Sequence, residues 1–195
     1  MKRFGSLALG ATAVLLVGCT AMMVRNIAQD SAAEVKPPFS GPANVKYASQ
    51  LWSALEKASL VGPGAVQSTP YEGQEPHGAV LVVLEQNVSV GGHTGVAIVK
   101  NNYGGEGVNK ETVANDPGKY LASVTVMYQR EQGYDPDHQN WFWAKYNPDG
   151  TLAANPKGMK LAGRVAKGAQ KGCIACHDLA PGDDYVYNHD RLAQK

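Results

Sequence analysis

Tyr120-Leu-Ala-Ser-Val-Thr-Val-Met-Tyr-Gln-Arg130 is the stretch that decides the fold. Mainly apolar residues alternate along it with mainly polar ones. One side would carry Ala122, Val124, Val126 and Tyr128, and the other Ser123, Thr125, Met127 and Gln129. A period of two is typical of a strand whose two faces differ. The segment therefore predicts a β-strand.

Three further segments predict strands. Residues 79–85 form a continuous apolar run, which is typical of a strand buried on both faces. Residues 95–101 contain a second short apolar run, and residues 140–146 are aromatic and alternate. Residues 131–139 form a polar loop with Gly and Asp-Pro, and residues 147–150, Asn-Pro-Asp-Gly, predict a turn.

One segment predicts a long helix. Across residues 44–59 the apolar residues follow helical spacing, as Val45, Ala48, Leu51, Trp52 and Leu55. Asn44 is expected to cap the helix, and Gly62-Pro63-Gly64 to end it. The elements together predict an α+β fold that is mainly β, with a large antiparallel sheet and one or two packed helices. The aromatic residues Trp141, Phe142, Trp143 and Tyr146 are expected in the core.

Near the C-terminus, Cys173-Ile-Ala-Cys-His177 matches C-x-x-C-H, the attachment pattern of a c-type haem. Two thiols add to the two vinyl groups of one porphyrin, and the next residue is then held under the ring to bind iron. The pattern predicts that Cys173 and Cys176 form thioether bonds to one haem c and that His177 is an axial iron ligand.

Other interpretations of this motif have less support. A redox dithiol is expected in a βαβ setting, which is not predicted here. A structural zinc site needs four ligands, and Cys19 is the only other cysteine.

The N-terminus predicts export. Lys2 and Arg3 precede a short apolar run that ends in Leu-Val-Gly-Cys19, as in a secretory signal rather than a membrane span. This ending resembles a bacterial lipobox, in which the cysteine becomes the first mature residue and carries lipid. The alternative is an ordinary signal that is cleaved further on. We expect a lipoprotein signal peptide at residues 1–18, a lipid on Cys19, a linker at residues 19–42, and a periplasmic domain tethered to a membrane by its lipid alone.

Composition excludes some classes of protein. The haem domain is expected at residues 43–195, a length that suits one domain. Without Lys2 and Arg3 the 18 basic residues fall to 16, against 17 acidic residues, so no nucleic-acid partner is expected. Beyond Cys19 and the motif pair there is no cysteine to form a structural disulfide.

Several segments resemble the cytochrome P-460 and cytochrome c′-β family. The most specific are residues 124–150, then Gly172-Cys-Ile-Ala-Cys-His177 and Asp184-Tyr-Val-Tyr187; residues 76–87 and 96–103 match more weakly. The resemblance implies a domain dominated by an antiparallel sheet, commonly a homodimer. It also implies a five-coordinate haem c whose open distal face binds nitric oxide, or in some members oxidises hydroxylamine and passes electrons to a periplasmic acceptor.

The resemblance also singles out Lys100. In the hydroxylamine-oxidising members a lysine at the end of a Gly-x-x-x-Val-Lys strand is crosslinked to the haem, and Gly95-Val-Ala-Ile-Val-Lys100 fits that pattern. An amine desolvated against the porphyrin would be partly neutral and nucleophilic. The alternative is a lysine that ends an apolar strand and points to solvent.

Several residues are candidates for a sixth iron ligand. A plain electron carrier would need a sixth ligand, for which His77, His93, Met127 and Met159 are candidates; as alternatives, the two histidines lie at the surface and Met127 in the core. His138 and His189 are expected to be solvated.

Hydroxylamine chemistry would be helped by a distal carboxylate. No Asp or Glu lies between Asp149 and Asp178, so candidates must come from elsewhere, as Glu85, Glu106, Glu111 and Glu131.

Overall fold

The computed structural model describes residues 38–187. The predictions for the signal peptide, for Cys19, for linker residues 20–37 and for His189 fall outside this range, so they remain predictions. No helix among the described residues combines the length and the apolar character that crossing a membrane requires.

The described chain forms one antiparallel sheet of six strands whose spatial order follows the sequence. The prediction of an α+β, mainly β fold is therefore confirmed. The strands are β1 (Tyr71–Glu72), β2 (Val80–Val90), β3 (His93–Tyr103), β4 (Leu121–Gln129), β5 (Trp141–Tyr146) and β6 (Ala162–Gly163). The helices are α1 (Pro42–Lys57), α2 (Lys110–Asn115), α3 (Pro117–Tyr120) and α4 (Cys173–His177), with a 3-10 turn at Pro136–His138.

Strands β2 and β3 form the longest hairpin of the sheet. Val90 pairs with His93, and the two glycines between them, Gly91 and Gly92, have φ of 59° and 89°. Two positive-φ residues give the turn a twist that matches the flanking strands, and glycine adopts them without strain. The tight turn lets pairing run from its ends to Val80 and Tyr103, so both strands are longer than predicted.

The two faces of β4 behave as the alternation predicts. Val124, Val126 and Tyr128 are buried on one face, where they pack with Ala48, Leu51, Trp52 and Leu55 of α1. On the other face Met127 is also buried, in a cluster with Ile98, Trp143, Ile174 and Val186. The C-terminal segment therefore covers the face opposite to α1, and it brings helix α4 onto the sheet.

The start of helix α1 differs from the prediction, whereas the turn after strand β5 agrees with it. Helix α1 begins at Pro42 after Gly41, so Asn44 as the cap was wrong; proline at the first turn lacks only an N–H that would have no helical partner. The predicted turn at residues 147–150 is confirmed, since Gly150 N–H donates to Asn147 O at 3.0 Å. A Cβ on Gly150 would lie 2.5 Å from the Trp52 ring, so glycine is required there.

Candidate functional site

Helix α4 carries all three residues of the C-x-x-C-H motif. Its five residues follow Gly172, whose φ is 128° and whose Cβ, if it had one, would lie 2.4 Å from Cβ of Ala166. Cys173 is half-buried and Cys176 is exposed, and both thiols are free. Burial raises the pKa of the Cys173 thiol to about 11, so this thiol is protonated at neutral pH.

The imidazole of His177 is buried and held in one orientation. Its Nδ1 lies 2.6 Å from the carbonyl oxygen of Tyr185, and because a carbonyl can only accept, Nδ1 carries the hydrogen. Nε2 is then left with a free lone pair. Burial, helped by the nearby Lys100 and His77, lowers the pKa of His177 to about 4 although the bond to Tyr185 opposes this. The ring is therefore neutral, as a metal ligand must be.

Three aromatic rings surround His177 at steep angles. The ring centre of Trp143 lies 4.8 Å from that of His177, Tyr187 lies at 5.3 Å and His77 at 6.2 Å. The indole Nε1 of Trp143 is buried and has no hydrogen-bond partner within residues 38–187. Since buried N–H groups are normally paired, this atom suggests that a polar group of another molecule belongs here.

Lys100 lies on the same side of the sheet as His177. It pairs with Val83 on β2 and Thr125 on β4, and only 7% of its surface is exposed. The interpretation that it points to solvent was therefore wrong. No carboxylate among the described residues forms an ion pair with it, and burial lowers its pKa. Its charge lowers the pKa of both His77 and His177, as expected of a cation near both rings.

His77 is the principal site residue whose placement the sequence did not resolve. It is half-buried rather than a surface residue, and its Nδ1 lies 2.9 Å from Oδ1 of Asn102. The other candidate histidine, His93, instead contacts Gln129 O through Nε2 at 3.0 Å and packs against Tyr128. One sequence signal could have linked His77 to the site. Its partner Asn102 lies two residues after Lys100 in strand β3, and residues two apart in a strand share a face.

The remaining candidates are two methionines of the core cluster beside helix α4 and four exposed carboxylates. Met127 is a core residue, as predicted, and Met159 is partly buried against the same cluster. The four candidate carboxylates, Glu85, Glu106, Glu111 and Glu131, are all exposed. Glu85 pairs with Ile98, so it lies on the face of the sheet that carries Lys100. The zinc interpretation finds no support between residues 38 and 187, where no three His, Cys, Asp or Glu side chains are arranged for a metal ion.

An ion-pair cluster around the buried carboxylate of Asp135 supports the site from the β4–β5 loop. Asp135 is fully buried and pairs with Lys167, and its other oxygen lies 3.0 Å from Nδ1 of His138. His138 is therefore not solvated, contrary to the prediction. Lys167 also contacts Asp137 at 3.1 Å, and Asp137 O accepts from the hydroxyl of Tyr185 at 3.3 Å. The β4–β5 loop thus contacts Lys167, which precedes the C-x-x-C-H motif, and Tyr185, which follows it.

The described residues fit a flat, metal-containing ring system. Two free thiols and an imidazole with a free Nε2 occur on one short helix, and the sheet face beside them carries buried apolar groups. The unpaired indole N–H of Trp143 and the unpaired amine of Lys100 are the polar groups that such a molecule would contact.

The chain matches the model of a known protein family. The family model described as Cytochrome P460 matches residues 55–188, more than half of the chain. No curated protein and no solved structure matches the chain.

Proposed function

The chain belongs to the cytochrome P460 family of haem proteins, and we propose that it carries one haem c at helix α4. In this proposal Cys173 and Cys176 form the thioether bonds and His177 binds the iron through Nε2. The proposal extends the haem binding that membership of the family implies to a covalent attachment at three named residues.

The observation that carries the proposal is the hydrogen bond between His177 Nδ1 and Tyr185 O. It fixes the tautomer and orientation of the ring, as partners of metal-bound histidines commonly do, and leaves Nε2 as the free donor atom. The neutral state of the buried ring agrees with this role, because a protonated imidazole cannot bind a metal.

We propose that this protein binds or oxidises small nitrogen species, nitric oxide or hydroxylamine, on the iron face opposite His177. The haem would supply the electron transfer and ligand binding. The chain would supply the proximal imidazole and the largely apolar surroundings that Ile98, Met127 and Trp143 provide. Water exclusion by these residues favours an uncharged ligand such as nitric oxide.

Lys100 decides which of the two activities we expect. Its buried, unpaired amine has a lowered pKa and so a larger neutral, nucleophilic fraction than an exposed lysine. A bond from Nζ to a porphyrin carbon, replacing one N–H and one C–H, releases two electrons and two protons and needs an oxidant such as peroxide. Hydroxylamine oxidation is proposed for the crosslinked protein, and nitric oxide binding for the protein without the crosslink.

A second candidate function is electron transfer by a six-coordinate cytochrome c. The observation in its favour is the position of His77, whose ring centre is 6.2 Å from that of His177. A protein with two fixed axial ligands would exchange electrons without binding a substrate.

For location and partners we propose an exported protein that Cys19 anchors to a membrane through lipid, in the periplasm. The partners would be the small nitrogen ligands, a periplasmic electron acceptor and a second copy of the chain in a homodimer. The sequence balance of acidic and basic residues gives no support for a nucleic-acid partner.

The proposed function is tested by producing the full chain together with a haem-ligation system. The denatured protein should retain one haem by mass, and replacement of Cys173 and Cys176 by alanine should release it. The reduced protein should then change its visible spectrum on titration with nitric oxide. A colourless wild-type protein, or a haem that denaturation removes, would contradict the attachment.

Lys100→Ala separates the two activities. If the crosslink forms, the wild-type Soret band is shifted to the red and the variant loses that shift while keeping its thioether haem. Lys145→Ala is the matched control, because Lys145 pairs with Thr125 on the same face from the other neighbouring strand. A red shift that persists in Lys100→Ala would show that Lys100 is not the crosslinked residue.

A further inference from the structure

Two exposed apolar side chains lie beside the C-x-x-C-H motif. Among the large apolar residues between 38 and 187, three are exposed, and two of them are Leu179 at 76% and Tyr187 at 36%. The third, Val66, lies between α1 and β1, away from the motif in the chain. Exposed apolar groups that lie together are a mark of contact with another molecule.

Leu179 and Tyr187 meet at one atom. The backbone N–H of Leu179 and the hydroxyl of Tyr187 both donate to the carbonyl oxygen of Cys176, each at 3.2 Å. The side chain of Cys176 is exposed as well. These three residues therefore form one surface, which we call the C-terminal patch.

The C-terminal patch contacts the proposed iron ligand directly. The ring centre of Tyr187 lies 5.3 Å from that of His177, and the ring planes meet at 75°. In the proposed function Cys176 is also bonded to the haem. Electron transfer between proteins slows steeply as the distance between the redox groups grows. A surface that contacts both the axial ligand and a haem-bonded residue is therefore well placed for electrons to leave the protein.

The chain around the C-terminal patch is acidic. Residues 178–187 contain three aspartates, at positions 178, 183 and 184, and no lysine or arginine. Of the two lysines shortly before helix α4, Lys167 is paired with carboxylates of the β4–β5 loop. This leaves Lys171 as the one lysine of residues 167–187 without an ion pair in the described structure. An acidic rim around an apolar centre complements a partner that is basic around an apolar centre.

We propose that the C-terminal patch is the docking surface for the electron acceptor, and that this acceptor is a small one-electron carrier whose exposed cofactor edge is surrounded by lysine or arginine. The inference rests on the proposed function, because it needs a haem at Cys173, Cys176 and His177. On docking, one electron leaves the ferrous protein and reduces the oxidised carrier, and the protein returns to its ferric state.

A basic carrier fits this surface better than a second copy of the chain. In a symmetric pair the same patch would face itself. The two acidic rims would then lie against each other, and like charges in an interface oppose association. A basic partner instead gains attraction at the rim and buries Leu179 and Tyr187 at the centre.

The first test is the rate at which the ferrous full-length haem protein reduces a ferric, lysine-rich cytochrome c of higher reduction potential. Leu179→Ser removes the apolar centre and should slow this second-order reaction ~5-fold. Asp183→Asn removes one rim charge and should slow it about 3-fold at low salt and little at high salt. Asparagine is chosen because residue 183 has φ of 57°, which asparagine tolerates.

Two variants make the same chemical changes elsewhere. Val66→Ser replaces the other exposed apolar side chain, and Glu56→Gln neutralises an exposed carboxylate of helix α1. Both should react at the wild-type rate. A patch variant that merely folds badly would also react slowly with ferricyanide, a small oxidant, whereas Leu179→Ser should keep the wild-type rate with it.

The second test reverses the charge of the probe. The same cytochrome c with its lysines succinylated is acidic, so the rim should repel it. Asp183→Asn should therefore react faster than the wild type with this probe and slower with the unmodified one. General damage to the protein would slow the reaction with both probes.

The third test measures docking without electron transfer. With both proteins ferric, a water-soluble carbodiimide joins carboxylates of one protein to lysines of the other as amides, with loss of water. Mass spectrometry should locate the crosslinks to the lysine-rich cytochrome c within residues 178–187. Asp183→Asn should lower their yield, and Glu56→Gln should leave it unchanged.

The outcomes separate this inference from the proposed function. Wild-type rates and crosslinks in both Leu179→Ser and Asp183→Asn would overturn the docking surface and leave the haem attachment standing. So would a changed haem spectrum in Leu179→Ser, which would place Leu179 against the haem, or a wild-type dimer that this variant dissociates, which would assign the patch to a second copy. A wild-type protein without covalent haem would overturn both proposals.

Discussion

The side-chain amide of Asn102 donates to the carbonyl oxygen of Lys100, two residues before it on strand β3, at 3.0 Å. The same side chain accepts from His77. Asn102 is itself buried, so it fixes the position of His77 relative to the strand that carries Lys100. A single amide thus connects the His77 side chain to the backbone of the strand that carries Lys100.

Asn102→Leu removes this connection and keeps the same number and branching of side-chain heavy atoms. The variant leaves Nδ1 of His77 without its acceptor in a half-buried position, which costs about 1–3 kcal/mol in the free energy of unfolding. Urea denaturation of the haem-loaded protein measures this cost. Asn87→Leu serves as control, because Asn87 is exposed on β2 and a surface change of this kind should stay within about 0.5 kcal/mol. Equal stability of the two variants would show that the Asn102 amide is not needed.

Lys100→Met should stabilise the protein when no crosslink is present. Methionine has a similar length and no charge, whereas the wild-type cation is buried without an ion-pair partner among residues 38–187. The expected gain at neutral pH is about 1–2 kcal/mol. Urea denaturation of wild type and variant at a series of pH values measures it.

The pH dependence of that gain has a definite sign. The folded-state pKa of Lys100 lies below 10.5, its ordinary value, so the unfolded chain binds more protons between the folded pKa and pH 10.5. The stability of the wild type relative to Lys100→Met should therefore rise with pH across that window. The disadvantage is fully present below the folded pKa and is gone above 10.5. A difference that is independent of pH would mean that Lys100 is covalently modified or not desolvated.

The sequence predicted those features that local patterns determine. The period of two placed strand β4 and divided its faces correctly, and helical spacing located α1 to within two residues at each end. The motif residues Cys173, Cys176 and His177 were named from their spacing alone, and Lys100 from a strand pattern together with a family resemblance. Their roles in binding haem remain predictions.

The parts that were missed depend on contacts between distant segments. His77 joins Asn102 across 25 residues, and Lys167 joins Asp135 across 32. No local pattern distinguishes a histidine beside glycine that faces solvent from one that is covered by another segment. The strand register, which places Val83 opposite Lys100 and Leu81 opposite Asn102, had to be known first. The two-residue strands β1 and β6 are also too short to give a periodic signal.

Trp143→Phe should reveal whether the unpaired indole N–H contacts the haem. The substitution loses buried ring packing in both forms, and in the haem-free protein Nε1 of Trp143 has no partner within residues 38–187 whose loss would add to that cost. In the haem-loaded protein the same change should cost about 1 kcal/mol more than in the haem-free protein if the N–H donates to a polar group of the haem. Urea denaturation of both forms gives the comparison.

Trp141→Phe is the control for that experiment. Nε1 of Trp141 donates to Asp184 O at 3.0 Å, so its partner belongs to the protein itself. This variant loses the same hydrogen bond and the same packing in both forms, so its cost should be equal in the two. Should Trp143→Phe behave like Trp141→Phe, with equal cost in the two forms, the haem is not the missing partner of Trp143.

Tyr185→Phe should raise the reduction potential of the haem iron. The Tyr185 hydroxyl donates to Asp178 Oδ1 at 2.8 Å and contacts Asp137 O at 3.3 Å. These bonds hold Tyr185 at a backbone φ of 65°, which residues other than glycine rarely adopt. Without them the carbonyl that accepts from His177 Nδ1 is less firmly placed. A weaker bond at Nδ1 makes the imidazole a poorer donor to the ferric iron, which favours the ferrous state.

Tyr187→Phe provides the matched control for the potential measurement. Its hydroxyl donates to Cys176 O at 3.2 Å and its ring lies against His177, but it does not hold the carbonyl that faces Nδ1. Spectroelectrochemical titration of the wild type and both variants should give a higher potential for Tyr185→Phe and a nearly unchanged one for Tyr187→Phe. Resonance Raman spectra of the reduced proteins should show a lower iron–histidine stretching frequency in Tyr185→Phe alone. A purely structural loss would lower the unfolding temperature and leave the potential and the stretching frequency unchanged. Equal potentials and frequencies in all three proteins would therefore mean that the Tyr185 hydroxyl contributes to stability without influencing the iron.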